Sequence, residues 1–112
     1  MSPTEGAISE AVTRLYLDTF GKGPLGVETH CHEDMAITLL RDVLTPGEHT
    51  LVGAGKSDSV LTTRMEWQRA TQHQFTSRVG KAAGRPVLAA ISGFEVDDAL
   101  ATEVFLFEPE RE

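Results

Sequence analysis

Two short stretches of this chain carry residue types that do chemistry. Gly53-Ala54-Gly55-Lys56-Ser57 sets glycines ahead of a lysine and a serine, the makings of a loop that wraps phosphates with backbone amides. His30-Cys31-His32 sets two imidazoles two residues apart, which on a strand share one face and can reach a single metal ion. A phosphate loop also needs a glycine five residues before its last one and a buried strand directly upstream. Thr50 occupies the first position and Glu48-His49-Thr50 the second. No later apolar run ends in an aspartate placed for magnesium, because residues 87–91 lead into Ser92-Gly93. The glycines therefore read as a connection between two helices. A weak anion site at the second helix's N-terminus is the remaining chemistry there, with Gly55, Lys56 and Ser57 acting beside Arg64.

The histidine pair supplies two ligands, with Glu28 on the same face and His49 and His73 remote in sequence. Cys31 would point the other way and reads as a small half-buried residue. Ser57, Ser59 and Ser77 sit in no nucleophile elbow. The acidic pairs Glu33-Asp34 and Asp97-Asp98 fall in turns, and nothing separates their roles into acid and base. Trp67, Arg64 and Thr71 share a helix face, where the indole reads as core packing. The expectation is no catalytic residue and no cofactor, so not an enzyme. The weak sites are His30 and His32 for a metal, and Arg64, Gly55, Lys56 and Ser57 for a ligand.

The elements that must position these residues are marked by strong punctuation. Thr45-Pro46-Gly47-Glu48 is a helix start: Thr45 caps, Pro46 suits the first turn, and Glu48 closes a capping box. Ser2-Pro3-Thr4-Glu5 is a second box, and Ile8, Ala11, Val12, Leu15 and Tyr16 follow it at helical spacing. Gly21 is the left-handed stop and Pro24 prevents a restart. Extended runs at 25–31 and 35–44 read as a hairpin through His32-Glu33-Asp34. Its register has two solutions. A three-residue loop puts Thr29 and Cys31 on the side of Met35, Ile37 and Leu39, which would be core, and leaves the histidines outside. A two-residue loop at Glu33-Asp34 puts the histidines with those apolar residues. Asp58 or Ser59 starts a long helix with Leu61, Met65, Gln68, Phe75, Val79 and Ala82 inside, ended by Gly84. A last hairpin joins 87–91 to 102–107 through residues 94–98.

The order α-β-β-α-α-β-β predicts an α+β two-layer sandwich, a four-stranded, mostly antiparallel sheet with helices on one face, in a single domain over 1–112. Hydrophobic residues at 40% and charged residues at 24% describe an ordinary globular protein. The single cysteine excludes an internal disulfide and points to a reducing compartment, and the N-terminus lacks signal-peptide features, so a cytoplasmic location is expected. No apolar run is long enough to cross a bilayer, which argues against direct membrane insertion. The net charge of −7 argues against bulk nucleic-acid binding. Within residues 56–85, six bases face two acids, a basic helix on an acidic body that reads as a solvated face.

Gly21-Lys22-Gly23-Pro24, Leu44-Thr45-Pro46-Gly47-Glu48 with Leu51, Arg64, Gly84-Arg85-Pro86-Val87 and the final Glu103-Val104-Phe105-Leu106-Phe107 stand in an order that resembles the MpsC-like family of small bacterial and archaeal proteins. One departure is Ser92-Gly93, where family members tend to carry an aspartate after the serine. The family takes its name from a membrane-potential-generating system associated with sodium and bicarbonate uptake, whose other components are membrane-bound or larger. No catalytic residues carry over. The resemblance implies a non-enzymatic accessory or regulatory protein-interaction module, with a homodimer and a membrane-bound partner subunit as the expected contacts. The competing expectation is a sensor domain that binds a metal or a small anion.

Overall fold

A computed structural model describes residues 1–110. The elements are α1 (Pro3–Phe20), β1 (Gly26–His32), β2 (Met35–Arg41), α2 (Pro46–Gly53), α3 (Ser57–Ala83), β3 (Val87–Glu95) and β4 (Leu100–Phe107). Both capping boxes form. The Ser2 hydroxyl accepts from the Glu5 amide at 3.1 Å while the Glu5 carboxylate accepts from the Ser2 amide at 2.9 Å. Thr45 and Glu48 repeat the arrangement at the start of α2. Each cap satisfies amides that helix geometry leaves unpaired and contributes about 1 kcal/mol. Gly21 (φ 72°) and Gly84 (φ 68°) end α1 and α3 in the left-handed region that glycine enters without strain.

The four strands lie in the order β1-β2-β4-β3, with every neighbouring pair antiparallel, so the two hairpins join through β2 and β4. α1 packs on β1 and β2, and α3 packs on β3 and along α1. The architecture is the expected two-layer α+β sandwich with helices on one face.

The first hairpin turns on two residues. His32 pairs with Met35, and Glu33 takes the left-handed conformation (φ 53°) that such a tight turn requires. The histidines therefore share a side with Met35, Ile37 and Leu39. That side is not the core, contrary to the sequence expectation. Ala36, Thr38 and Leu40 face the helices and are fully buried, while Ile37 remains 38% exposed. The reason is that α1 and α3 both cover the other side of the sheet. β2 also ends earlier than expected, at Arg41, where Asp42 (φ 55°) turns the chain; Val43 and Leu44 are buried in the connection. β3 runs on through Ser92-Gly93 to Glu95, so the second turn is 96–99.

The inner stripe of α3 is corrected as well. Val60, Arg64, Thr71, Phe75 and Val79 are buried, whereas Met65 is 43% exposed. The first half of the helix is rotated by one residue from the expected stripe because it carries Arg64 inward, onto Glu48 of α2.

Candidate functional site

On the helix-facing side of the sheet a polar row crosses the hydrophobic core. Thr29 lies opposite Thr38, Thr38 opposite Glu103, and Glu103 opposite Ser92, one residue from each strand. Ser9 of α1 reaches the row at Thr29 (2.7 Å), and Thr29 is bonded to Thr38 (2.8 Å). At the other end Ser92 donates to Glu103, and the Tyr16 hydroxyl donates to the same carboxylate at 3.3 Å. Thr29 and Thr38 are 0% exposed and Glu103 is 1% exposed. Burial pushes the Glu103 carboxyl up to about 7, against the opposing hydrogen bonds from Ser92 and Tyr16. Burial, then the neighbouring Glu103, raises Tyr16 well above the usual phenol value.

Arg64 lies beside this row and is 1% exposed. Its Nε and Nη2 clasp the two oxygens of Glu48 at 2.8 and 2.6 Å, and Nη2 also donates to the Val43 carbonyl at 2.6 Å. The Phe20 ring stacks 3.7 Å from the guanidinium carbon. Burial alone would raise the Glu48 carboxyl; hydrogen bonds from Arg64 and the Thr45 amide hold it below its usual value. Arg64, Tyr16, Phe75 and Glu103 line a cavity of about 10 Å³, the size of one water molecule.

The sequence-predicted ligand residues do not converge. Arg64 lies seven residues beyond Ser57, about 10 Å along the helix, and is committed to Glu48. Ser57 donates instead to the Asp97 carboxylate at 2.6 Å, which places an internal anion at the first turn of α3. Gly55 supplies a left-handed link (φ 78°) and Lys56 occupies the cap position without a side-chain cap bond. His30 and His32 lie exposed on one strand face. His30 contacts Glu28 at 3.1 Å and His32 approaches Glu33 at 4.0 Å. Among the described residues no group of three or more His, Cys, Asp or Glu is placed to hold a metal ion. Trp67, expected in the core, is 44% exposed and meets Phe20 edge-on at 5.9 Å.

Sequence reasoning passed over Glu103, although a signal was present. Ala101, Glu103, Phe105 and Phe107 alternate along one strand, and three of the four are apolar, so the glutamate sits in a buried register.

The opposite side of the sheet is uncovered by any described element and is largely apolar. Its rows are read from the strand pairing: His32–Met35–Leu106–Ala89, His30–Ile37–Val104–Ile91, Glu28–Leu39–Thr102–Gly93 and Gly26–Arg41–Leu100–Glu95. Ile91 is 58% exposed, the most open apolar side chain of the two central rows. The charges gather at the β1 edge and at one end, leaving a hydrophobic centre.

The family model described as "Na+-translocating membrane potential-generating system (MpsC)" matches residues 3–109. The chain belongs to the MpsC family. The curated "Uncharacterized protein YbcI" of Bacillus subtilis (strain 168) is 35% identical over 63 residues, 55% of this chain. The match spans 51% of that relative's own length. No solved structure matches. The MpsC family name places its members in the context of a sodium-linked membrane system, and no helix among the described residues is long and apolar enough to cross a membrane.

Proposed function

We propose that this chain is a non-enzymatic interaction module, an accessory component of a sodium-linked membrane system, that works as a homodimer. The observation that supports this reading is the open sheet face with its apolar centre, because the largest apolar patch on a protein surface is often a functional contact site. The family's description supplies the membrane context, and the module would reach it through a membrane-bound partner subunit. A ligand-sensing role ranks second. Arg64 Nη1 is buried without a hydrogen-bond partner, but the adjoining cavity has room for about one water and not for an oxyanion.

The test compares the two faces. A strain lacking the chain is complemented with variants while a voltage-sensitive dye reports sodium-dependent membrane potential. Wild type and Glu103→Gln are expected to restore the signal, and Ile37→Asp to remain folded yet fail. The reverse pattern, with Glu103→Gln folded and inactive and Ile37→Asp active, would move the function to the buried carboxyl and sink the interaction reading.

A further inference from the structure

The two central rows of the open face differ in relief. Ile91 and Ile37 project from one row, at 58% and 38% exposure. The other row contains Gly93, and a groove of about 260 Å³ opens there against Leu39, Leu100 and Thr102. Ile91 and Gly93 stand on the same strand, one row apart. One further row lies beyond each of these two, so the line between them bisects the face.

We infer that a second copy of this chain docks face to face about a two-fold axis that crosses the strands between the Ile91 row and the Gly93 row. The inference rests on the interaction reading above and names its partner and geometry. Rotation about that axis keeps each residue above its own strand and exchanges the two rows. Ile91 of each copy then enters the groove at Gly93 of the other. Val104 and Ile37 lie over Thr102 and Leu39. His30 comes to Glu28, so the imidazole and the carboxylate at the β1 edge can hydrogen-bond across the interface. Every contact occurs twice, as an isologous interface requires.

The alternatives fit worse. An axis running along the strands would set Glu28 and His30 of the central rows against Gly93 and Ile91, burying polar groups on apolar surface at the middle of the contact, whereas the crossing axis confines such mismatches to its rim, where Arg41 lies over Met35 and Glu95 over Ala89. Edge-to-edge pairing through β3 meets an irregular register between Val87 and Ala89, which interrupts the ladder a second strand would need. The size is also informative. Four strands about 4.8 Å apart and seven residues long make a footprint of roughly 440 Å² per copy, or about 900 Å² for the pair before side-chain relief is counted. That lies below the range of stable specific complexes and among weak, transient ones, so pairing is sought at high concentration. Two twisted sheets pack this way about 10 Å apart with strands aligned to within about 30°.

The experiment is light scattering with sedimentation equilibrium over about 1 to 300 µM, a span that brackets micromolar dissociation. Wild type is expected to dimerise within it. Ile91→Asp, at a position more than half exposed in one copy, is expected to weaken pairing at least tenfold with an unchanged circular dichroism spectrum. Gly93→Val fills the groove; a Cβ there meets the Thr102 methyl at 3.2 Å, so Thr102, whose hydroxyl donates to the Thr38 carbonyl, must shift by a few tenths of an ångström, and an unchanged circular dichroism spectrum checks that the fold tolerates it. The exchange Ile91→Ala with Gly93→Val is expected to recover pairing relative to Gly93→Val alone, because the axis sets position 91 over position 93 in both directions. A dimer indifferent to Ile91→Asp would overturn this geometry while leaving the interaction reading standing. A monomer at every concentration would overturn the second copy as occupant. If that monomer floats with phosphatidylcholine vesicles and Ile91→Asp does not, the face belongs to lipid.

Discussion

Replacing Glu103 by glutamine tests the buried polar row directly. Glutamine keeps the length and shape of the side chain and offers a carbonyl to Ser92 and Tyr16, but it carries no ionisable proton. In the native protein the Glu103 carboxyl titrates near 7, against 4.5 for the same group in an unfolded chain. Between those values the native state holds a proton that the unfolded state has lost. Stability attributable to this group is therefore complete below about 4.5, falls as pH rises, and levels off above about 7. The proton is held from about 4.5 to about 7, which at about 1.4 kcal/mol per tenfold change in affinity gives a loss of about 3 kcal/mol across that window. Glu103→Gln removes the loss. The variant should be close to wild type in stability near pH 5 and more stable by about 3 kcal/mol near pH 7.5. Urea unfolding at several pH values, followed by Trp67 fluorescence, measures both chains. Taking the difference between them cancels the pH dependence of every other group. A difference that does not change with pH would refute the argument. So would a wild type that gains on the variant as pH rises, since that would mean the ionised carboxylate is the form the fold prefers.

Three further outcomes follow from the same geometry. Arg64→Met leaves the Glu48 carboxylate half-buried and the Val43 carbonyl without its donor, and should cost about 3 kcal/mol; Arg64→Lys should recover only part, having no fork to clasp both oxygens, as a double-mutant cycle with Glu48→Gln would measure. Glu5, held down to about 2 by the Ser2 and Cys31 amides, contributes stability that is present above about 4.5 and is lost as pH falls toward 2. Glu5→Gln should therefore lower stability at neutral pH and flatten the acid limb, and hydrogen exchange should report earlier opening at the Cys31 amide. Thr38→Val strands the Thr29 hydroxyl with one partner and should cost about 1 kcal/mol, whereas Ser9→Ala, Thr29→Val and Thr38→Val together should cost less than the sum of the single changes, as read from urea midpoints.

The amino-acid sequence alone determined the features whose causes lie within a few residues. The capping boxes Ser2–Glu5 and Thr45–Glu48 are three-residue hydrogen-bond pairs, and the left-handed stops at Gly21 and Gly84 follow from the absence of a Cβ. These local signals, with the alternation of the strands, were enough for element order and layer architecture. The choice of buried face was not local. Met35, Ile37 and Leu39 are more apolar than Ala36, Thr38 and Leu40, so the alternation of β2 favours the wrong side as core. Only the packing of α1 and α3 assigns the polar-looking side of β2 to the interior, where Ser9 and Thr38 both bond Thr29 while Tyr16 and Ser92 donate to Glu103. Arg64 followed the same logic. Its spacing marks a helix face, but its partner Glu48 lies sixteen residues away on another helix, and chain folding alone brings them together. Periodicity records which residues share a side; what covers that side depends on contacts distant in sequence, and on β2 the more hydrophobic side is the one the helices leave open.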